Sequence, residues 1–222
     1  MSLSVTALFT CLLLAHLLGD FVLQTDEDIQ HKRRAGRFAK HILIVAGLSY
    51  LLVGVWTAWW IPLVIGLTHA LIDMAKLRLE TAGWTGRTPF FLDQAAHLAV
   101  IVGLALGAEH LGLADSGWPE VLGPLYLQGC LLLSGFILTV FAGGFVIGMW
   151  VEPYAREVGL PGMEIEGEVR PEAGLAKGGM VIGQLERGLI FFFVLVGQPE
   201  AVAFLVAAKS VFRFGELSKS RK

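Results

Sequence analysis

Apolar residues run almost unbroken through long stretches of this chain, and the charges are bunched between them. Residues 1–24 carry one charged side chain, Asp20; residues 38–75 carry two, Lys40 and Asp73; residues 121–151 carry none. A helix needs about 20 apolar residues to cross the hydrocarbon of a bilayer. The pattern predicts an all-α, polytopic transmembrane bundle of seven helices, near 3–24, 38–57, 60–79, 90–109, 123–149, 178–197 and 199–215. The second and third meet at Trp56-Thr57-Ala58-Trp59-Trp60-Ile61-Pro62, whose tryptophans suit the headgroup region and whose proline suits a helix start. Gly197-Gln198-Pro199 reads as the turn between the last two. The first apolar run has no basic region before it and continues into His16 and Asp20, so it is not read as a cleaved leader.

Lysine and arginine set the expected orientation. Lys32, Arg33, Arg34 and Arg37 lie after the first helix, Arg78 and Arg87 after the third, Arg156, Arg170 and Lys177 after the fifth, and Lys219, Arg221 and Lys222 in the tail. With seven crossings all of these fall on one side. The connections 57–60, 110–122 and 198 contain no Lys or Arg. The positive-inside rule therefore predicts an N-terminus outside and a cytoplasmic C-terminus. The expected organisation is a four-helix membrane unit over 1–122, a fifth helix over 123–150, a cytoplasmic acidic loop over 151–177, and a hairpin with a basic tail over 178–222. The loop holds Glu152, Glu157, Glu164, Glu166, Glu168 and Glu172.

Polar residues inside such helices are costly and mark function by default. His16 and Asp20 stand four residues apart in the first helix, with Gln24 one turn on. His69 and Asp73 repeat the spacing in the third. Asp93 and His97 repeat it in reverse in the fourth, with Gln94 beside, and the second adds His41. Residues at i and i+4 share a helix face, about 6 Å apart along the axis. The first and third helices run inward and the fourth runs outward. In all three the carboxylate is then nearer the cytoplasm and the imidazole lies one turn deeper. The reversed order in the antiparallel helix is what a shared site requires. Imidazole with carboxylate suits Zn, and also Mn or Fe, and seven candidate ligands leave room for one or two divalent ions. A proton or ion pathway and a hydrogen-bonded packing network are the alternatives.

The expected metal ligands are His16, Asp20, His69, Asp73, Asp93 and His97. His41 is a further ligand or a general base, and Gln24 and Gln94 are placed to orient water or ligands. His31, in the basic loop beside Asp26, Glu27 and Asp28, reads as solvated, and His110 as interfacial. A second group, Glu186, Arg187, Lys209, Arg213 and Glu216, lies in the last two helices. Lys209 and Arg213 share a face, and Glu186 is placed to pair with Lys209 across the hairpin. The group is read as a structural ion pair or as an anion site.

Composition narrows the function classes. Of 222 residues 55% are hydrophobic and 16% charged, against about 25% charge in a typical soluble domain. Net charge is −2, with no basic excess to hold a nucleic acid. Cys11 and Cys130 lie inside apolar runs and read as small buried hydrophobes rather than a disulfide. No nucleophile elbow, Walker sequence or dinucleotide fingerprint is present.

The run His16-Leu-Leu-Gly-Asp20-Phe-Val-Leu-Gln24, then His41, then Leu67-Thr-His-Ala-Leu-Ile-Asp73, then Asp93-Gln-Ala-Ala-His97 resembles the bacterial membrane family known as domain of unknown function 3307, over roughly residues 8–105. Gly183-Gln-Leu-Glu-Arg187 and Ala208-Lys-Ser-Val-Phe-Arg-Phe-Gly-Glu216 resemble the C-terminal segment of longer members, many of which continue past this point. The resemblance implies a multi-pass protein of the bacterial inner membrane and names no activity. A looser analogy, resting on intramembrane His and Asp alone, is to membrane-bound metal-dependent hydrolases. The expected function is metal-dependent hydrolysis of a lipid-linked or amphiphilic substrate from the cytoplasmic side, with membrane lipids as surroundings. A metal-ion or proton transporter and a structural or sensor protein are the rivals.

Overall fold

A computed structural model describes residues 5–84, 86–107, 117–158 and 178–219 of the chain. His110, the 159–177 part of the acidic loop, and the side chains of Arg213 and Glu216 lie outside the described residues. Most of those described are helical, with no strand among them. The elements are α1 (Val5–Phe21), α2 (Asp26–Gln30), α3 (Ala35–Val53), α4 (Trp60–Thr81), α5 (Arg87–Gly107), α6 (Trp118–Leu122), α7 (Pro124–Ile137), a π-helical turn (Leu138–Ala142), α8 (Gly143–Val158), α9 (Gly178–Leu195) and α10 (Pro199–Lys219). Five helical stretches among the described residues are long and apolar enough to cross a membrane: Ala35–Val53, Trp60–Thr81, Arg87–Gly107, Pro124–Val151 and Gly178–Leu195. Val5–Phe21 is apolar but shorter, at 17 residues.

The chain divides into two compact units, 1–138 and 139–222. In the first, α1, α3, α4 and α5 close a ring in which each packs on the next, and α7 packs against α1. This places α1 between three neighbours, and ten of its 17 residues are buried. In the second unit α8 and α10 each pack on α9.

Which face each helix buries is the reverse of a water-soluble bundle. Along α4, Leu63, Leu67 and Leu71 form an exposed row, while Ile65, His69 and Asp73 form the buried one. On α3, Leu43 is 72% exposed and His41 only 3%. Leucine outward and imidazole inward is the pattern expected when the surroundings are lipid rather than water. At one end of the first unit the interior is apolar, formed by Leu8, Leu12, Val53, Ile61, Ile65 and Ile101 among others. The other end holds the polar cluster.

Three local features differ from the pattern-based expectation. The first helix ends at Phe21 rather than at 24, and a short helix follows it. Thr25 starts α2 with a reciprocal capping box: Asp28 N–H donates to Thr25 Oγ1 and Thr25 N–H to Asp28 Oδ2. α3 stops at Val53 rather than at 57. Gly54 takes a left-handed conformation, φ 68°, and its N–H closes on Tyr50 O, a glycine cap that ends the helix. The expected fifth helix is interrupted by the π turn, and α8 continues to Val158 past the predicted end at 149. The Val140 carbonyl within that turn accepts Nε and Nη2 of Arg187.

Where α1 crosses α3 the chains approach closely. A Cβ placed on Gly19 would lie 2.5 Å from Val45 Cγ2. Small residues allow such approach between membrane helices, and Gly19 directly precedes Asp20. Gly19→Val is expected to push α1 off α3 and lower the melting temperature in detergent. Pairing it with Val45→Ala should recover part of the loss; no recovery would show that the crossing is not what the glycine serves.

Candidate metal centre

Each cluster residue is delivered by helix periodicity to one end of the ring. His16 and Asp20 lie in the last turns of α1, His41 in the second turn of α3, His69 and Asp73 about the middle of α4, Asp93 in the second turn of α5 and His97 at its middle. All four imidazoles are buried, as are Asp73 and Asp93. The rings lie against one another, with centroids 4.9 Å apart for His41 and His69, 4.0 Å for His69 and His97, and 4.9 Å for His16 and His97.

Asp20 is the centre of this arrangement. Its Oδ1 lies 3.5 Å from His41 Nε2 and 3.5 Å from His69 Nε2, and those two nitrogens are 2.9 Å apart. A tetrahedral ion with bonds of about 2.0–2.1 Å separates its ligands by about 3.3 Å. The three atoms therefore form a triangle close to one face of such a tetrahedron. Asp73 Oδ2 stands outside it, 3.6 Å from His41 Nε2 and 3.7 Å from His69 Nε2.

Hydrogen bonding decides the tautomers of the other two imidazoles. Gln94 Nε2 donates to Asp20 Oδ2 at 3.3 Å and to Asp93 Oδ2 at 3.1 Å, so its amide oxygen faces His16. That oxygen, 3.2 Å from His16 Nε2, can only accept, and His16 therefore carries its proton on Nε2. His97 Nδ1 is 2.9 Å from the Asp93 carbonyl oxygen and must donate to it. The lone pair of His97 is then on Nε2, which is buried without a hydrogen-bond partner; Asp20 Oδ1 and Asp93 Oδ1 are likewise buried without one. Asp73 Oδ2 is buried without a hydrogen-bond partner too, although the Lys32 ammonium lies 2.9 Å from it. Buried polar atoms are nearly always satisfied, so these four mark where a ligand would bind. Gln24 Nε2 is also buried and unpartnered, but the described hydrogen bonds of the cluster run through Gln94.

Two lysines complete the site. Lys32 Nζ is 2.9 Å from Asp73 Oδ2, and Lys76 Nζ is 3.1 Å from Asp93 Oδ2. Their ammonium groups neutralise the two most buried carboxylates and leave Asp20 among the imidazoles. Lys32 is held by the α2 segment. Asp28 accepts Lys40 and Arg37 as well as Thr25, which holds its carboxyl well below the usual carboxylate range, and His31 Nδ1 donates to Glu27 O. Lys76 carried a readable signal: His69, Asp73 and Lys76 follow the i, i+4, i+7 spacing of one helix face. Lys32 carried none.

A cavity of about 20 Å³ adjoins the imidazoles on the apolar side, lined by His16, His69, His97, Ser49 and Thr68 among others. That is room for one water. Among the described residues, three sets place their ligand atoms within 4.8 Å of one another and could hold an ion: His16, His69 and His97; Asp20, His41 and His69; and Asp20, Asp93 and His97.

The other charged group belongs to the second unit. Lys209 Nζ donates to Glu186 Oε2 across the α9–α10 hairpin, and Arg187 is bonded to the Val140 carbonyl.

The family profile described as "Protein of unknown function (DUF3307)" matches residues 8–119, about half of the chain. The chain belongs to this family. The match runs beyond the 8–105 expected from the motifs and contains every residue of the His/Asp cluster, while the hairpin lies outside it. No curated protein and no solved structure matches the chain.

Proposed function

We propose that the protein is a seven-helix enzyme of the bacterial inner membrane. On this reading the N-terminus is outside, the C-terminus is cytoplasmic, and the His/Asp cluster holds a catalytic divalent metal, zinc first and manganese or iron next. The reaction is hydrolysis of a lipid-linked or amphiphilic substrate that reaches the cluster from the cytoplasm or from the inner leaflet. What supports it is the triangle of His41 Nε2, His69 Nε2 and Asp20 Oδ1, whose edges of 2.9, 3.5 and 3.5 Å match a three-ligand zinc face. A divalent ion at such a face lowers the pKa of a water and polarises a carbonyl or phosphoryl oxygen.

The protein's own groups take distinct roles. His41, His69 and Asp20 are ligands. Gln94 fixes Asp20, Asp93 and His16 in register. Lys32 and Lys76 each place an ammonium group against a buried carboxylate, Asp73 and Asp93. The apolar interior formed by Leu8, Leu12, Val53, Ile61, Ile65 and Ile101 closes the far end, which favours entry from one side only. A transporter needs alternating access to the same residues.

Labelling tests this reading. A cysteine at Ala70, beside His69, should react with an impermeant reagent from the cytoplasmic face alone, with or without added metal. Thr57→Cys, in the α3–α4 turn, should label from outside and Glu80→Cys from the cytoplasm. Labelling of Ala70→Cys that changes side with metal or pH would replace the enzyme by a transporter.

A further inference from the structure

A single ion in the His41–His69–Asp20 triangle leaves part of the cluster unexplained. His97 Nε2 and Asp93 Oδ1 are buried, unpartnered, and belong to a different ligand set. That set also contains Asp20, and the two oxygens of Asp20 face different neighbours. Oδ1 lies 3.5 Å from each of His41 Nε2 and His69 Nε2. Oδ2 lies 3.3 Å from Gln94 Nε2 and 3.8 Å from His16 Nδ1, on the side of α5. The rings of His69 and His97, one from each set, have centroids 4.0 Å apart, so the two sets adjoin one another.

Resting on the metal-site reading above, we propose that the cluster holds two divalent ions bridged by Asp20, and that the group it acts on is a phosphate. His41, His69 and Asp20 hold one ion; Asp20, Asp93 and His97 hold the other. Charge points to the substrate. Three carboxylates against the ammoniums of Lys32 and Lys76 leave one net negative charge around neutral imidazoles. Two divalent ions turn this into three positive charges in a zone of low dielectric, where an uncompensated excess is costly. A carbonyl group brings no charge to offset it. A phosphate ester or diphosphate does, and offers an oxygen to each ion. Hydrolysis would form a phosphorus–oxygen bond to water and break the bond to the leaving oxygen. That oxygen takes the proton from water, with nothing oxidised or reduced.

The test uses the full chain in detergent, depleted of metal and reloaded with Mn(II). Two equivalents should bind, and the spin-resonance spectrum should show exchange coupling between them. His41→Gln and His97→Gln should each retain one uncoupled equivalent, and Asp20→Ala should abolish the coupling. Inorganic phosphate should bind the loaded protein and not the metal-free one. One equivalent in the wild type, unaffected by His97→Gln, would overturn the two-ion centre and leave a one-ion enzyme standing. No bound metal would remove both. Two coupled ions without phosphate binding would overturn the substrate class. The wild-type spectrum needs no variant, so a substitution that fails to fold leaves the proposal open to refutation.

Discussion

Replacing Lys32 by methionine should lower the melting temperature of the metal-free protein by about 6–12 °C. The Asp73 side chain is 2% exposed and Lys32 14%, with 2.9 Å between Nζ and Oδ2. Breaking a buried pair by removing one partner costs about 3–5 kcal/mol, because the remaining charge is left uncompensated. The lower figure applies here, since Lys32 keeps some contact with solvent, and about 3 kcal/mol corresponds to that shift for a chain of this size. Methionine preserves the length and the apolar stem, so packing is nearly unchanged. Asp73→Asn added to Lys32→Met should then recover most of the loss, because the carboxylate left without a cation is gone. Lys76→Met should cost less, since Lys76 is 23% exposed and Asp93 Oδ2 keeps its hydrogen bond from Gln94. Differential scanning in detergent measures all of these. Strict additivity of Lys32→Met and Asp73→Asn would mean that the two side chains do not interact in solution.

The same pair shows where pattern reading ends. Helix periodicity decides which face a residue occupies, and the alternating direction of antiparallel helices decides its depth. His16 and Asp20, His69 and Asp73, and Asp93 and His97 could therefore be placed in one cluster from spacing alone, and the four imidazoles do lie ring against ring. Lysine partners do not follow from spacing, because a four-carbon stem reaches several positions. Spacing would join Lys76 to Asp73, three residues away on α4, yet its ammonium lies on Asp93 of α5. Lys32 looked like one more basic loop residue marking the cytoplasmic side. Its approach to Asp73 depends on α2, a five-residue helix created by the Thr25–Asp28 box, with no apolar period to announce it. The central position of Asp20 was hidden for a similar reason. Three Asp–His pairs look equivalent along the sequence, and only the lysines distinguish them by taking two of the three carboxylates.

That division of labour leads to the largest effect expected from a single ligand. In wild-type protein the melting temperature should rise with added Zn(II) and fall again on chelation. A ligand that binds only the folded state stabilises it by about 4 kcal/mol at a thousand times its dissociation constant. His69→Ala should remove the part of this response that the ion in the His41–His69–Asp20 triangle supplies, because its Nε2 is 2.9 Å from that of His41 and belongs to that face. Under chelation the same substitution should cost much less, since it then loses one buried hydrogen bond of about 1 kcal/mol together with some packing. The metal-dependent part is the gap between those two costs. His31→Ala, in the loop and with its ring bonded to the Glu27 carbonyl, should leave the zinc response as in the wild type. A hydrogen-bonded packing network makes the opposite prediction: no rise with zinc, and an equal cost of His69→Ala with and without chelator. The two accounts differ in the difference between two melting curves, a quantity independent of any assumption about the substrate.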